Sequence, residues 1–168
     1  MYTLKDYRKI LEEKLLLPVK ISKFIEDIIQ ATEYLLSISK NSPSDFELNW
    51  FWYKFKNVSD YCFLLSYSID KNLEDFILRL INHYESNYKN NIVEEPLLSG
   101  EEIMKLLNLK PSKEVGIIKD SLIKAQIGGK VKTKAEAIKF VKEFKGKWKH
   151  SKILKFLWIY LYLLSRGF

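Results

Sequence analysis

The chain has 168 residues, with 28 Lys/Arg against 21 Asp/Glu, a formal charge of +7, 47% hydrophobic residues and 14% aromatic ones. That apolar content excludes a disordered chain and allows one ordinary domain or two small ones. A lone cysteine, Cys62, excludes an internal disulfide, and the charged start MYTLKDYRKILEEK does not read as a signal peptide, so a cytoplasmic setting is expected.

The periodicity is helical almost throughout. Thr3 with Asp6 predicts a capped helix to about Leu16, ended by Pro18. Ser22 is the expected cap of the next helix, whose Phe24, Ile25, Ile28, Ile29, Thr32, Leu35 and Leu36 follow i, i+3, i+4 spacing. A loop over SKNSPSD precedes two dense aromatic helices, FELNWFWYKFKN and VSDYCFLLSYSI. A further helix covers 72–91, with Phe76, Ile77, Leu80, Ile81 and Tyr84 on one face. NNIVEEPL reads as the joint between a first subdomain, 1–92, and a second, 93–168.

Three helix starts follow, each after a turn signal: Ser99 with Glu102, Ser112 after Pro111, and Thr133 with Glu136. Gly128-Gly129 fits a helix C-cap and turn, not a phosphate loop, because no GxGxxG or GxxxxGK pattern surrounds it. The apolar run 153–164 is too short to cross a membrane and is expected to be a buried terminal helix, with an exposed dimer contact or a membrane-surface helix as the alternatives. The expected fold is all-α, about nine helices in two packed helical subdomains.

Charge is distributed unevenly. Residues 1–100 carry 12 Lys/Arg and 15 Asp/Glu, while 101–168 carry 16 and 6. A basic second half points to a polyanion, and a solvated lysine-rich surface is the competing explanation. Arg8, Arg79 and Arg166 are the three arginines, so 25 of the 28 basic residues are lysines. Lysine makes point-charge contacts to phosphate, whereas bidentate base reading favours arginine. In TKAEAIKFVKEFKGKWKH, an apolar stripe of Ala137, Phe140, Val141, Phe144 and Trp148 turns lysines to solvent.

The segment LNLKPSKEVGIIK is more specific. A helix starting at Ser112 would leave first-turn N–H groups for a phosphate flanked by Lys110, Lys113 and Lys119. Gly116 adds no side chain that would block an approaching backbone; close helix packing is its alternative role. Lys130, Lys132, Lys134, Lys142 and Lys145 form a second, diffuse basic surface. No catalytic set and no metal set is expected: His83 and His150 lie far apart, and Cys62 reads as a small buried thiol.

These residues carry a resemblance. Leu97, Leu98, Gly100, Leu109, Pro111, Val115, Gly116, Gln126, Gly129, Thr133, Glu136 and Ala137 match the pattern of the C-terminal region of bacterial tRNA nucleotidyltransferases and poly(A) polymerases, the CCA-adding class. WFWYKFKNVSDYCFLLSYSID resembles that family's aromatic-basic helix and the apolar helix after it. Ser112-Lys113 stands where the family has Gly-Pro. The head motifs Gly-Gly-x-Val-Arg-Asp and Asp-x-Asp do not occur. The resemblance therefore implies a helical body and tail without the catalytic head, holding tRNA or another structured RNA by its backbone. Magnesium and nucleotide would belong to that head, and no cofactor is expected in this chain. A separate head is an implied partner, and a homo-oligomer stays open. The alternative expectation is a scaffold domain that has lost RNA binding and docks a partner or itself through the apolar C-terminal helix.

Overall fold

The computed structural model describes residues 10–145. The expected start at Thr3 and Asp6, Trp148, and the run 153–164 lie outside the described residues. The chain divides into two compact units, Met1–Ile92 and Val93–Phe168. Every regular element in the described residues is helical. Six α-helices of eight or more residues are bounded there, and helical backbone returns over 134–145. Against the expected nine, the described residues hold these six and the 134–145 stretch; the expected first and last helices lie outside them, and short 3₁₀ or π turns fill several of the breaks between the others.

The first unit holds α1 (Val19–Ser39), α2 (Asp45–Phe55), α3 (Ser59–Ile69) and α4 (Glu74–His83). Ser22 is not the cap of α1. Pro18 takes that position at φ −55°, and the Ser22 hydroxyl is buried without a partner. A proline needs no N–H acceptor and is preset for a helix start, so the helix begins four residues early. Ser44 and Glu47 make the capping box of α2, within and just after the stretch expected as a loop. The helix expected over 72–91 is present as a chain of turns: 3₁₀ Lys71–Leu73, α4, a π turn Tyr84–Tyr88 and a last α turn Lys89–Asn91.

Burial explains why these helices stay together. Ala31 and Leu35 of α1, Phe51 of α2, Cys62 of α3 and Leu80 of α4 are fully enclosed. The Trp52 indole N–H donates to the Leu80 carbonyl at 3.1 Å, so a large apolar ring enters this core with its one polar atom satisfied. Burial pushes the Cys62 thiol pKa up, as expected for an inert core cysteine. His83, in the last turn of α4, sits 2.7 Å from Asn49 Oδ1, and burial lowers its pKa.

The second unit holds α5 (Gly100–Leu107), α6 (Lys113–Ile127) and the helical stretch 134–145. Ile103, Leu122, Ala137 and Val141 are completely buried between them. α5 and α6 end alike. Asn108 and Gly129 take left-handed backbone at φ 49° and 70°. The N–H of the next residue then reaches back five positions, Leu109 to Met104 and Lys130 to Ala125, each at 2.9 Å. These are Schellman closures, which satisfy carbonyls that the helix ends leave bare.

Candidate nucleic-acid interface

The lysines chosen from sequence all fall in the second unit, on three elements. Lys110 lies in the turn before α6, Lys113 opens it, and Lys119 is one and a half turns further on. Lys110 and Lys113 are exposed and Lys119 is half-buried; none has a carboxylate partner among the described residues. Lys130, Lys132 and Lys134 surround the turn into the 134–145 helix and are exposed.

The start of α6 differs from the expected cap. Ser112 occupies the N-cap position, but its hydroxyl makes no capping bond. The Val115 N–H bonds the Ser112 carbonyl at 3.1 Å, while the N–H groups of Lys113 and Glu114 have no acceptor among the described residues. The other two predicted starts differ in carrying capping boxes. Glu102 accepts from the Ser99 N–H at 2.8 Å, and Glu136 accepts from the Lys132 and Thr133 N–H groups at 2.7 and 3.2 Å. An unsatisfied first turn with positive side chains around it favours an anion. Glu114, in the same turn, opposes that field in part.

Gly116 is exposed, and a Cβ added there would meet nothing within 4 Å. Helix packing among the described residues therefore does not require glycine at this position. What remains is an unobstructed patch of backbone one turn into a helix flanked by lysines.

Two of the selected lysines have other work. Lys134 pairs with Glu102, joining the start of the 134–145 helix to that of α5. Lys145 is half-buried and donates to the Leu107 carbonyl, at the C-terminal end of α5. A cation there satisfies a bare helix-end carbonyl. Lys142 stays exposed on the outer face, opposite the buried Ala137 and Val141.

Between α5 and the 134–145 helix lies a shallow cleft of about 370 Å³, lined by Leu98, Glu102, Lys105, Leu106, Lys134 and Ile138. Lys105 was not selected from sequence; its i+3 spacing from Glu102 was the available signal. The hydrogen bond from Lys134, with that from the Ser99 N–H, holds the Glu102 carboxyl down at about 2. A carboxylate whose folded pKa is depressed stabilises the fold above its ordinary value and loses that contribution as pH falls through the folded one. The window is therefore from 4.5 down to about 2. Glu102→Gln is expected to make the acid loss of stability shallower in that window, measured by denaturation midpoints at stepped pH. Equal acid slopes for the two proteins would refute the assignment.

The second unit is thus a small helical body with one helix start that lacks a side-chain cap, a lysine-rich rim and no cluster of three or more metal-ligating side chains among the described residues. No described helix is long and apolar enough to cross a membrane. Comparison with known proteins places the chain beside one enzyme class. It is 42% identical over 67 residues to the CC-adding tRNA nucleotidyltransferase of Thermus thermophilus, and 27% identical over 109 residues to that of Synechocystis. The matches cover 40% and 64% of this chain but only 15% and 26% of the two relatives. No protein-family model and no solved structure matches the chain. The chain resembles CC-adding tRNA nucleotidyltransferases over a limited part of their length.

Proposed function

We propose that this chain is a non-catalytic RNA-binding module related to tRNA nucleotidyltransferases and poly(A) polymerases. It holds tRNA, or a similarly structured RNA, by its phosphate backbone, while a nucleotidyltransferase head adds nucleotides and supplies the magnesium and nucleotide sites. Its setting is cytoplasmic. The observation that carries this reading is the start of α6, which has no side-chain cap, with Lys110 in the turn before it, Lys113 at its first position, and the bare backbone of Gly116 and then Lys119 further along. The similarity to CC-adding enzymes supplies the RNA class. Recognition of this kind reads helix shape and phosphate position, which suits a lysine-rich, arginine-poor surface.

Gly116→Ala tests the reading because its two effects have opposite signs. Alanine in an exposed helix position raises stability by about 1 kcal/mol. The same methyl group obstructs a phosphate backbone resting on α6, so tRNA affinity falls. Thermal unfolding and tRNA binding on the same protein check both. A more stable variant with unchanged tRNA affinity would remove α6 from the interface.

A second reading, docking of a protein partner such as a separate head, has its own support in the first unit. Leu64 and Leu78 are 71% and 51% exposed beside a cleft of about 230 Å³ lined also by Phe63, Tyr67, Glu74 and Ile77. Contiguous exposed apolar surface marks interaction sites. Docking through the C-terminal run concerns residues outside those described.

A further inference from the structure

The outer face of α2 carries three rings at i, i+4 and i+7: Phe46, Trp50 and Tyr53. Their centroids are 5.7 and 5.5 Å apart, with interplanar angles of 25° and 37°, so the rings form a short continuous ladder. Phe46 is 39% exposed, and neither it nor Trp50 packs against the core of the first unit. That core is filled from the other side of the helix by Leu48, Phe51 and Trp52. The Lys54 ammonium rests over this ladder, 5.1 Å from the Trp50 ring and 5.6 Å from Tyr53. At the other end of α2, Glu47 is held in the capping box with Ser44.

A partly exposed ring ladder that is anchored to the core through Tyr53 alone, and that carries a cation on its face, has the chemistry of a stacking platform for unpaired nucleobases. We propose that Phe46, Trp50 and Tyr53 stack one or two unpaired bases of a bound RNA, and that Lys54 takes the phosphate of the same nucleotide. The lysine now fills the ring faces by a cation–π contact, which is weak at an exposed site. An incoming base replaces it there, and the ammonium, on its flexible stem, moves to the phosphate. The two units then have separate tasks. Lysines of the second unit hold backbone without regard to sequence, and the ladder of the first adds affinity for an unpaired segment.

This inference rests on the RNA-binding reading, and the experiment separates the two. The full chain is titrated with an RNA hairpin bearing four unpaired 3′ nucleotides and with the same hairpin blunt-ended. Wild type is expected to bind the tailed hairpin more tightly than the blunt one. Trp50→Ala is expected to lose about tenfold or more on the tailed hairpin and little on the blunt one. Trp50→Phe should retain most of the preference, and Phe46→Ser, at an exposed position, should lose part of it with the fold intact. K110E/K113E/K119E should weaken both hairpins alike. If wild type shows no preference for the tail, or if Trp50→Ala and Phe46→Ser keep it, the platform is refuted while backbone holding stands. If wild type binds neither hairpin, the RNA-binding reading and the platform both fail.

Discussion

Replacing Gln126 with leucine is expected to lower the stability of the second unit by about 2–3 kcal/mol. Gln126 is buried, and its side-chain amide ties the segment entering this unit to α6. The Nε2 group donates to the Val93 and Glu95 carbonyls at 3.1 and 3.0 Å, and Oε1 accepts from the Leu97 N–H at 3.2 Å. Leucine fills similar space but leaves all three backbone groups without that partner. Each such loss costs about 1 kcal/mol net, and more where water cannot replace the partner. Gln126→Glu should be worse at neutral pH, because it turns a carboxylate oxygen towards two carbonyls. Acidification should recover part of the loss, since a protonated carboxyl can donate again. Chemical denaturation of the three proteins decides this. A leucine variant within about 0.5 kcal/mol of wild type would show that the tether carries no weight.

K110E/K113E/K119E is expected to have the largest effect on binding. Each phosphate contact contributes about 0.9 to the dependence of log affinity on log salt. Three contacts therefore account for about 2.7 decades between 1 M and 0.1 M salt. The triple variant should lose tRNA affinity by about 10²–10³-fold at 0.1 M salt, and its salt slope should fall by about 3. Folding should be unaffected, since none of the three lysines pairs with a carboxylate among the described residues. Lys134→Ala and Lys145→Ala make useful contrasts. Both lysines already serve the fold, through Glu102 and the Leu107 carbonyl, so their loss should show in stability as well as in binding. An undiminished salt slope in the triple variant would move the interface away from α6.

Local signals in the sequence carried far. Ser99 with Glu102 and Thr133 with Glu136 were legible as capping boxes because both partners lie within one helical turn. Gly128-Gly129 was legible as a stop because Gly129 needs a positive φ that other residues resist. The aromatic helices were legible from density alone. Where two local rules competed, the reading failed: Ser22 is a good capping residue, but Pro18 started the helix before it. Asn108 stops α5 as Gly129 stops α6, yet asparagine is ambiguous without the backbone angle.

Contacts across the chain were not legible. Lys134 meets Glu102 32 positions away, Lys145 meets Leu107 38 away, and Gln126 meets Val93 33 away. No periodicity encodes those separations. They decide which lysines are free and which are occupied, so composition could locate a basic half of the chain but not its open face. Ser112 shows the same limit at short range, since its residue type favours a cap that its hydroxyl does not make. That failure leaves the start of α6 without a side-chain cap, which is the feature the proposed function uses.

The most direct test of the central claim is the affinity of the whole chain for tRNA across a salt series from 50 mM to 500 mM. Holding by backbone predicts a straight log–log decline with a slope of about −3 or steeper, reflecting at least the three lysines around α6. Affinity that stays constant across the series, or no binding at the lowest salt, would contradict it.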